Sequence, residues 1–201
     1  MERKENSIYR TPLIRRTLSF IQQVMEDRNI DIEVDGIRFT SHGHYYDGIN
    51  NWLCHKLKEN NPQAIDHCAR QLAKMLPENA VIVPIPGHHG CAVQTLYLAR
   101  AISGLTAGNI PVANVLKGSR RKSNYQAKIE GHPLCAEELG FRQVGILPKG
   151  KVPYLLDNCV DSGETAKAAY HALGDRGIVL SYAMSDRLLY RELDHSAGLS
   201  R

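Results

Sequence analysis

The chain has 201 residues, of which 43% are hydrophobic and 23% charged, with a formal net charge of +4. That balance describes an ordinary globular protein: one α/β domain with an appendage, or at most two small domains, with enough chain to bury a core. No apolar run approaches the length of a membrane span, no repeat or low-complexity tract is present, and the mild positive charge suits a small anionic substrate without calling for nucleic acid.

Cys54, Cys68, Cys91, Cys135 and Cys159 are scattered, odd in number and without a CxxC pair. They read as reduced thiols of a cytosolic protein. Met1 to Asn6 is polar and charged, unlike a signal peptide, so a cytoplasmic location is expected.

Residues 1–10 read as a polar arm. Leu13 to Arg28 follows as an amphipathic helix with Ile14, Leu18, Ile21 and Met25 on one stripe. Ile30 to Phe39 alternates apolar and polar residues around Asp35-Gly36, the pattern of a small hairpin. Asp47 to Leu57 has helical spacing, with Ile49, Trp52, Leu53 and Leu57 inward. Asn61-Pro62 starts another helix, which turns Ile65, Cys68, Ala69, Leu72 and Met75 inward.

From Ala80 the pattern alternates strand and helix, as in a parallel α/β sheet. Strands are expected at Ala80–Ile85 and Pro111–Leu116, with a helix over Cys91–Ser103 between them. A long polar stretch covers Lys117–His132. A short helix is expected within Pro133–Gly140, and a strand or hairpin arm at Gln143–Leu147. Val152–Leu156 reads as a buried strand, Asp157–Gly163 as a polar loop, Glu164–Leu173 as a helix, and Gly177–Met184 as a further strand. Beyond Ser185 the tail is polar, with a short helix through Leu189 and Tyr190. Right-handed crossovers then place three loops, 86–90, 117–132 and 157–163, at strand ends where they can converge on one crevice.

The last of these loops has the chemistry of an anion site. A strand, a tight loop and a helix N-terminus aim backbone N–H groups and the positive end of the helix dipole at whatever sits above. Gly163 lets that backbone approach a phosphate, while Ser162 and Thr165 add hydroxyls. Asp157 and Asp161 bring carboxylates suited to sugar hydroxyls or a Mg²⁺ ion. An ordinary βα turn of another α/β protein is the plain alternative.

The run Leu155-Leu156-Asp157-Asn158-Cys159-Val160-Asp161-Ser162-Gly163-Glu164-Thr165 resembles the signature of the type I phosphoribosyltransferases, which bind 5-phosphoribosyl 1-pyrophosphate (PRPP). It departs from that pattern at Asn158, where the family usually carries a second acid. Val83-Pro84-Ile85-Pro86 and Leu98-Ala99-Arg100-Ala101 look most like the competence-associated phosphoribosyltransferase-like proteins, although the Arg-rich stretch usual in that group is missing.

The resemblance covers residues 80–185. It implies a Rossmann-like parallel sheet of the type I phosphoribosyltransferase kind, preceded by a mainly helical hood at 1–79 and followed by a tail at 186–201. It implies transfer of the 5-phosphoribosyl group from PRPP to a nitrogenous base with release of pyrophosphate, assisted by Mg²⁺ held at Asp157. Asp157 and Asn158 would hold ribose hydroxyls. Asp161, Ser162, Gly163, Glu164 and Thr165 would cradle the 5′-phosphate, and Gly87, His88, His89 and Gly90 would take the pyrophosphate.

Arg120, Arg121 and Lys122 would act from a catalytic lid formed by residues 117–132, in which Tyr125 and Gln126 can touch substrate. Asp161 would relay a proton to a ring nitrogen or simply cap the helix. A homodimer is common among such proteins.

Other readings remain open. The basic loop also reads as a solvated face or a nucleic-acid contact. The same fold also serves as a non-catalytic PRPP- or nucleotide-sensing domain. His42, His44, Cys54, His55, His67 and Cys68 crowd the N-terminal part and form a rival zinc constellation, though without paired ligand spacing. Tyr45, Tyr46 and Trp52 would stack on a base or fill the core, with the core expected for Trp52. The tail is similar to the end of the hypoxanthine-type purine enzymes, with Asp186 and Arg191 as counterparts once a one-residue gap is allowed.

Overall fold

The computed structural model describes residues 29–190. The expected N-terminal arm and the helix at Leu13–Arg28 lie outside the described residues, as does Arg191. The first element is a hairpin: β1 (Ile30–Val34) turns at Asp35-Gly36 into β2 (Ile37–His44). Both turn residues have positive φ, +53° and +73°, the geometry that a two-residue hairpin turn demands and that Asp-Gly supplies. Two helices follow, α1 (Asn50–Lys58) and α2 (Pro62–Ala73). Asn61 caps α2 by accepting hydrogen bonds from the Gln63 and Ala64 N–H groups, with Pro62 in the first turn.

β3 (Ala80–Pro84) and α3 (Gln94–Leu105) open the alternating part. Beyond them lie β4 (Leu116–Lys117), α4 (Asn124–Ile129), a 3₁₀ turn at Glu137–Leu139 and β5 (Arg142–Gln143). Finally come β6 (Val152–Val160), α5 (Glu164–Ala172) and β7 (Ile178–Met184), with residues 186–190 helical.

The fold is α/β with a mostly parallel central sheet of order β1-β2-β7-β6-β3. β1 is antiparallel to β2, and every other neighbouring pair in this sheet is parallel. Two faces are covered, as parallel sheets require. On one, Leu53, Leu57, Leu72, Leu98 and Ile102 from α1, α2 and α3 pack on Ile82, Leu156 and Leu180. On the other, Ala166 and Ala169 of α5 pack with Val81, Val83, Leu155 and Val179.

Several elements differ from the sequence reading. The hairpin is no outlying piece: Phe39 of β2 pairs beside Val179 of β7, so the sheet runs across the boundary drawn at residue 79. The expected strand at Pro111–Leu116 shrinks to a single bridge between Val112 and Ile82, followed by the short β4 paired antiparallel with β5. β6 runs on through Asp157, Asn158 and Cys159 to Val160, because Cys159 and Val160 still pair with Ala183 and Met184. The polar loop is therefore only Asp161–Gly163. In α1, Leu53, Cys54 and Leu57 are buried, but Ile49 is exposed and Trp52 is 56% exposed, against the expectation of a core tryptophan. The Lys56 ammonium lies 6.0 Å from the centre of the Trp52 ring.

Candidate functional site

Because β2, β7, β6 and β3 are parallel, their carboxyl ends share one edge. Three loops meet there. The first leaves β3. The Ile85 N–H donates to the Leu156 carbonyl, and the Thr95 hydroxyl donates back to the Ile85 carbonyl at 2.8 Å, fixing where the loop starts. In the loop itself the Gly87 N–H donates to the Cys91 carbonyl and the Gly90 N–H to the Gly87 carbonyl. Two of the backbone donors expected to meet pyrophosphate are thus used within the turn. The His88 and His89 rings lie 3.9 Å apart. Burial, followed by His89 and Arg121, holds the His88 imidazole below its ordinary pKa.

The second loop, residues 117–132, is fastened to the first. The Gly118 N–H donates to the Gly90 carbonyl at 3.0 Å, and the Arg121 N–H to the His88 carbonyl at 2.9 Å. Gly90 has φ +79°, and a Cβ there would come within 2.4 Å of the Gly118 oxygen, so only glycine permits this approach. The rest of the loop carries α4, capped by the Ser123 hydroxyl, which accepts from the Gln126 N–H.

Each candidate cation of this loop has its own setting. Arg121 is half-buried, its guanidinium 5.8 Å from the centre of the Phe141 ring. Its Nε is buried without a hydrogen-bond acceptor. Burial lowers its pKa, opposed by the Asp157 carboxylate. Lys122 pairs with Glu130, and Arg120 is exposed.

The third loop joins β6 to α5. Gly163 sits at the helix N-cap with φ +85°, the conformation that suits glycine. Gly163 is the N-cap residue and has no side chain with which to cap, so Asp161 does not occupy the cap position. Instead the Asp161 carboxylate accepts a hydrogen bond from the Ser185 hydroxyl at 2.8 Å and lies 3.7 Å from Lys128 and 3.5 Å from Arg187. The Thr165 hydroxyl accepts from the Asn124 amide at 3.0 Å. The 117–132 loop therefore reaches the end of β6 and the start of α5 at two points, Asn124 on Thr165 and Lys128 on Asp161, while Arg121 adds positive potential at Asp157.

Asp157 is the most perturbed carboxylate at this edge. Burial pushes its pKa up to about 6, resisted by the N–H of Asn158, which donates to its Oδ1 at 2.7 Å, and by Lys58 and Arg121. Lys58, at the end of α1, escaped the sequence reading, because nothing in its neighbourhood on the chain ties it to a strand a hundred residues later. Asn158 stands differently from what its place in the signature led one to expect. It is only 6% exposed, and its Oδ1 is buried without a hydrogen-bond partner. The same holds for the Ser181 hydroxyl on the neighbouring strand. The Asn158 side chain is thus in the interior, because β6 continues as a strand through it.

The rim adds residues from β2 and the start of α1. His44 lies 3.4 Å from Asp186, and the Tyr45 hydroxyl is 3.3 Å from His55 Nε2. The Tyr45 phenol is raised in pKa by burial first, then by Cys159 and Cys54. Tyr46, Ile49 and Trp52 are exposed beside them. Cys54 donates to the Asn158 carbonyl at 3.8 Å, and a contact with Cys54 raises the Cys159 thiol.

Among the described residues no three His, Cys, Asp or Glu side chains gather as a metal-holding group, which leaves the zinc constellation without a site there. Mg²⁺ is a different case, since it usually takes one or two carboxylates and completes its shell with water and substrate oxygens. Asp157 as a single carboxylate fits that role. Among the described residues, no helix is long and apolar enough to cross a membrane. No family model matches the chain, and no curated protein matches it.

Proposed function

We propose that the protein is a phosphoribosyltransferase of the type I kind. It moves the 5-phosphoribosyl group of PRPP to a nitrogenous base and releases pyrophosphate. The observation that carries this reading is the meeting of the 86–90, 117–132 and 161–165 loops at one edge, joined by Gly118 on Gly90, Asn124 on Thr165 and Lys128 on Asp161. A cationic strap over a carboxylate and a glycine-led helix start is what a sugar phosphate with a pyrophosphate leaving group requires.

Asp157 would hold a ribose hydroxyl, and the Asp161–Thr165 turn the 5′-phosphate. Arg121, with Arg120 and Lys122, would neutralise the leaving oxygens. Mg²⁺, held at Asp157, would share that task. The strap would also exclude the water that hydrolyses PRPP. Tyr46 and Trp52 are available at the rim to stack on the acceptor base.

The buried Asn158 supports a second reading, a domain that binds PRPP or a nucleotide without turnover, since only one acidic side chain remains where the family uses two. A nucleic-acid role for the basic loop draws less support, because Lys122 and Lys128 pair with carboxylates of this chain and Arg121 is half-buried.

Calorimetric titration of PRPP with and without Mg²⁺, followed by pyrophosphate release against a panel of nucleobases, separates these. Mg²⁺-dependent binding with release for one base supports the transferase. Binding without release for any base favours the sensor, and no binding of PRPP or nucleoside phosphates refutes both.

A further inference from the structure

At the opposite edge of the sheet, where β6 begins, the chain forms a concavity of about 290 Å³. Lys149, Lys151 and Arg176 line it, with Ile146, Leu147 and Pro153 as apolar wall, and no carboxylate contributes to the lining. Two of the cations are held in place by backbone carbonyls: Lys151 Nζ donates to the Glu78 carbonyl at 2.9 Å, and Arg176 Nε donates to the Leu173 carbonyl at 2.7 Å. Among the described residues none of the three forms an ion pair with a carboxylate, whereas Arg38, Lys56, Arg70, Lys122, Lys128 and Lys167 all do. Three like charges around one hollow repel each other, and a bound anion relieves that repulsion.

We propose that this concavity is a second binding site, for a small phosphate monoester, separate from the edge where the three loops meet. A phosphate carries close to two negative charges at neutral pH, which answers three cations better than a single carboxylate does. Arg176, already oriented through Nε, keeps its terminal N–H groups for the phosphate oxygens. The volume lies at the lower end of the range for small-molecule sites, so the ester group is small, and Ile146, Leu147 and Pro153 give it an apolar surface to rest on. The turn that carries Lys149 is closed by Gly150 at φ +73°.

The test is a titration of methyl phosphate, and in parallel of orthophosphate, into the ¹⁵N-labelled full chain, followed amide by amide. The expected result is a saturable shift at the amides of residues 146, 147, 149–151 and 176–178. It should saturate at one equivalent and weaken at least tenfold in Lys149→Ala/Arg176→Ala. A stronger response to methyl phosphate than to orthophosphate places the preference on the ester, and the reverse places it on the free ion. Shifts confined to 161–165, shifts that never saturate, or shifts unchanged in the double variant overturn the proposal. Because the readout is resolved by residue, it stands or falls separately from PRPP binding at the other edge.

Discussion

Asp157→Asn should stabilise the protein while disabling the site. In an unfolded chain this carboxyl titrates near its ordinary 3.8, and in the folded protein near 6. Between those values the folded state binds more protons than the unfolded state, so stability falls as pH rises across that window. Above it the cost of holding a buried charge is complete. Two units correspond to about 3 kcal/mol at most, an upper figure because the residue keeps partial solvent access and faces Lys58 and Arg121. An asparagine keeps the oxygen that accepts from the Asn158 N–H and carries no charge to bury. Urea denaturation of both proteins at pH 7.5 should show the variant more stable by about 1–3 kcal/mol, and the gap should close towards pH 4. Turnover in the proposed reaction should drop at least tenfold, about 1.4 kcal/mol of barrier. A variant less stable than the parent at pH 7.5, or a gap that does not change with pH, would refute the reasoning about a buried charge. Full activity would remove Asp157 from the site.

Gly90→Ala should lose about 2 kcal/mol or more in the same denaturation assay, since a Cβ meets the backbone oxygen of Gly118. Gly163→Ala should lose less, about 1 kcal/mol, because its nearest neighbour at 3.0 Å is the movable end of the Leu188 side chain; the reverse ranking would contradict the geometry. Trp52→Ala should cost under about 1 kcal/mol of stability, and the fully buried Leu72→Ala about 2–5 kcal/mol. If Trp52 stacks on the acceptor base, the KM for that base rises while thermal stability stays put. Thr165→Val, which removes the acceptor of the Asn124 amide, should speed proteolytic cleavage within 123–132 with little change in global stability.

What the sequence revealed, and what it hid, follows from the range of the interactions. The Asp35-Gly36 turn and the Asn61-Pro62 helix start are local, and the residues that make them are adjacent. The strand–turn–helix around Gly163 is local too, so the expected glycine stands at the helix start. The end of β6 is not local. Asp157 and Asn158 look like loop residues, yet the ladder to β7 carries the strand to Val160, and that pairing partner lies more than twenty residues on. β2 is a stronger case, since its parallel partner is 140 residues away and nothing in Ile37–His44 distinguishes a sheet strand from one arm of a free hairpin. Trp52 misled because amphipathic spacing marks a stripe but not its width: Leu53, Cys54 and Leu57 already fill the contact with the sheet. Lys58 and Arg121 converge on Asp157 from elements sixty residues apart, which only the folded chain brings together.

The strap formed by 117–132 is held unevenly, and that decides how it can move. At its base, the Gly118 and Arg121 N–H groups donate to backbone carbonyls of the 86–90 loop, and Gly90 leaves no space for a looser fit. At its far end the described side-chain contacts with the start of α5 include one neutral hydrogen bond, Asn124 to Thr165, and one ion pair at 3.7 Å between half-exposed Lys128 and Asp161, beside the buried Ala127. The first contributes about 1 kcal/mol and the second under about 1 kcal/mol in water. Thermal opening therefore begins at 123–132 and leaves 117–121 in place. Arg121 sits on the fixed side of that division. On the proposed function, an anion entering at the edge of the sheet would meet Arg121 already in place, while the segment able to lift would be the one whose lysine pairs with Asp161. On that proposal, the fixed part of the strap would meet the charge and the loosely held part would admit the ligand.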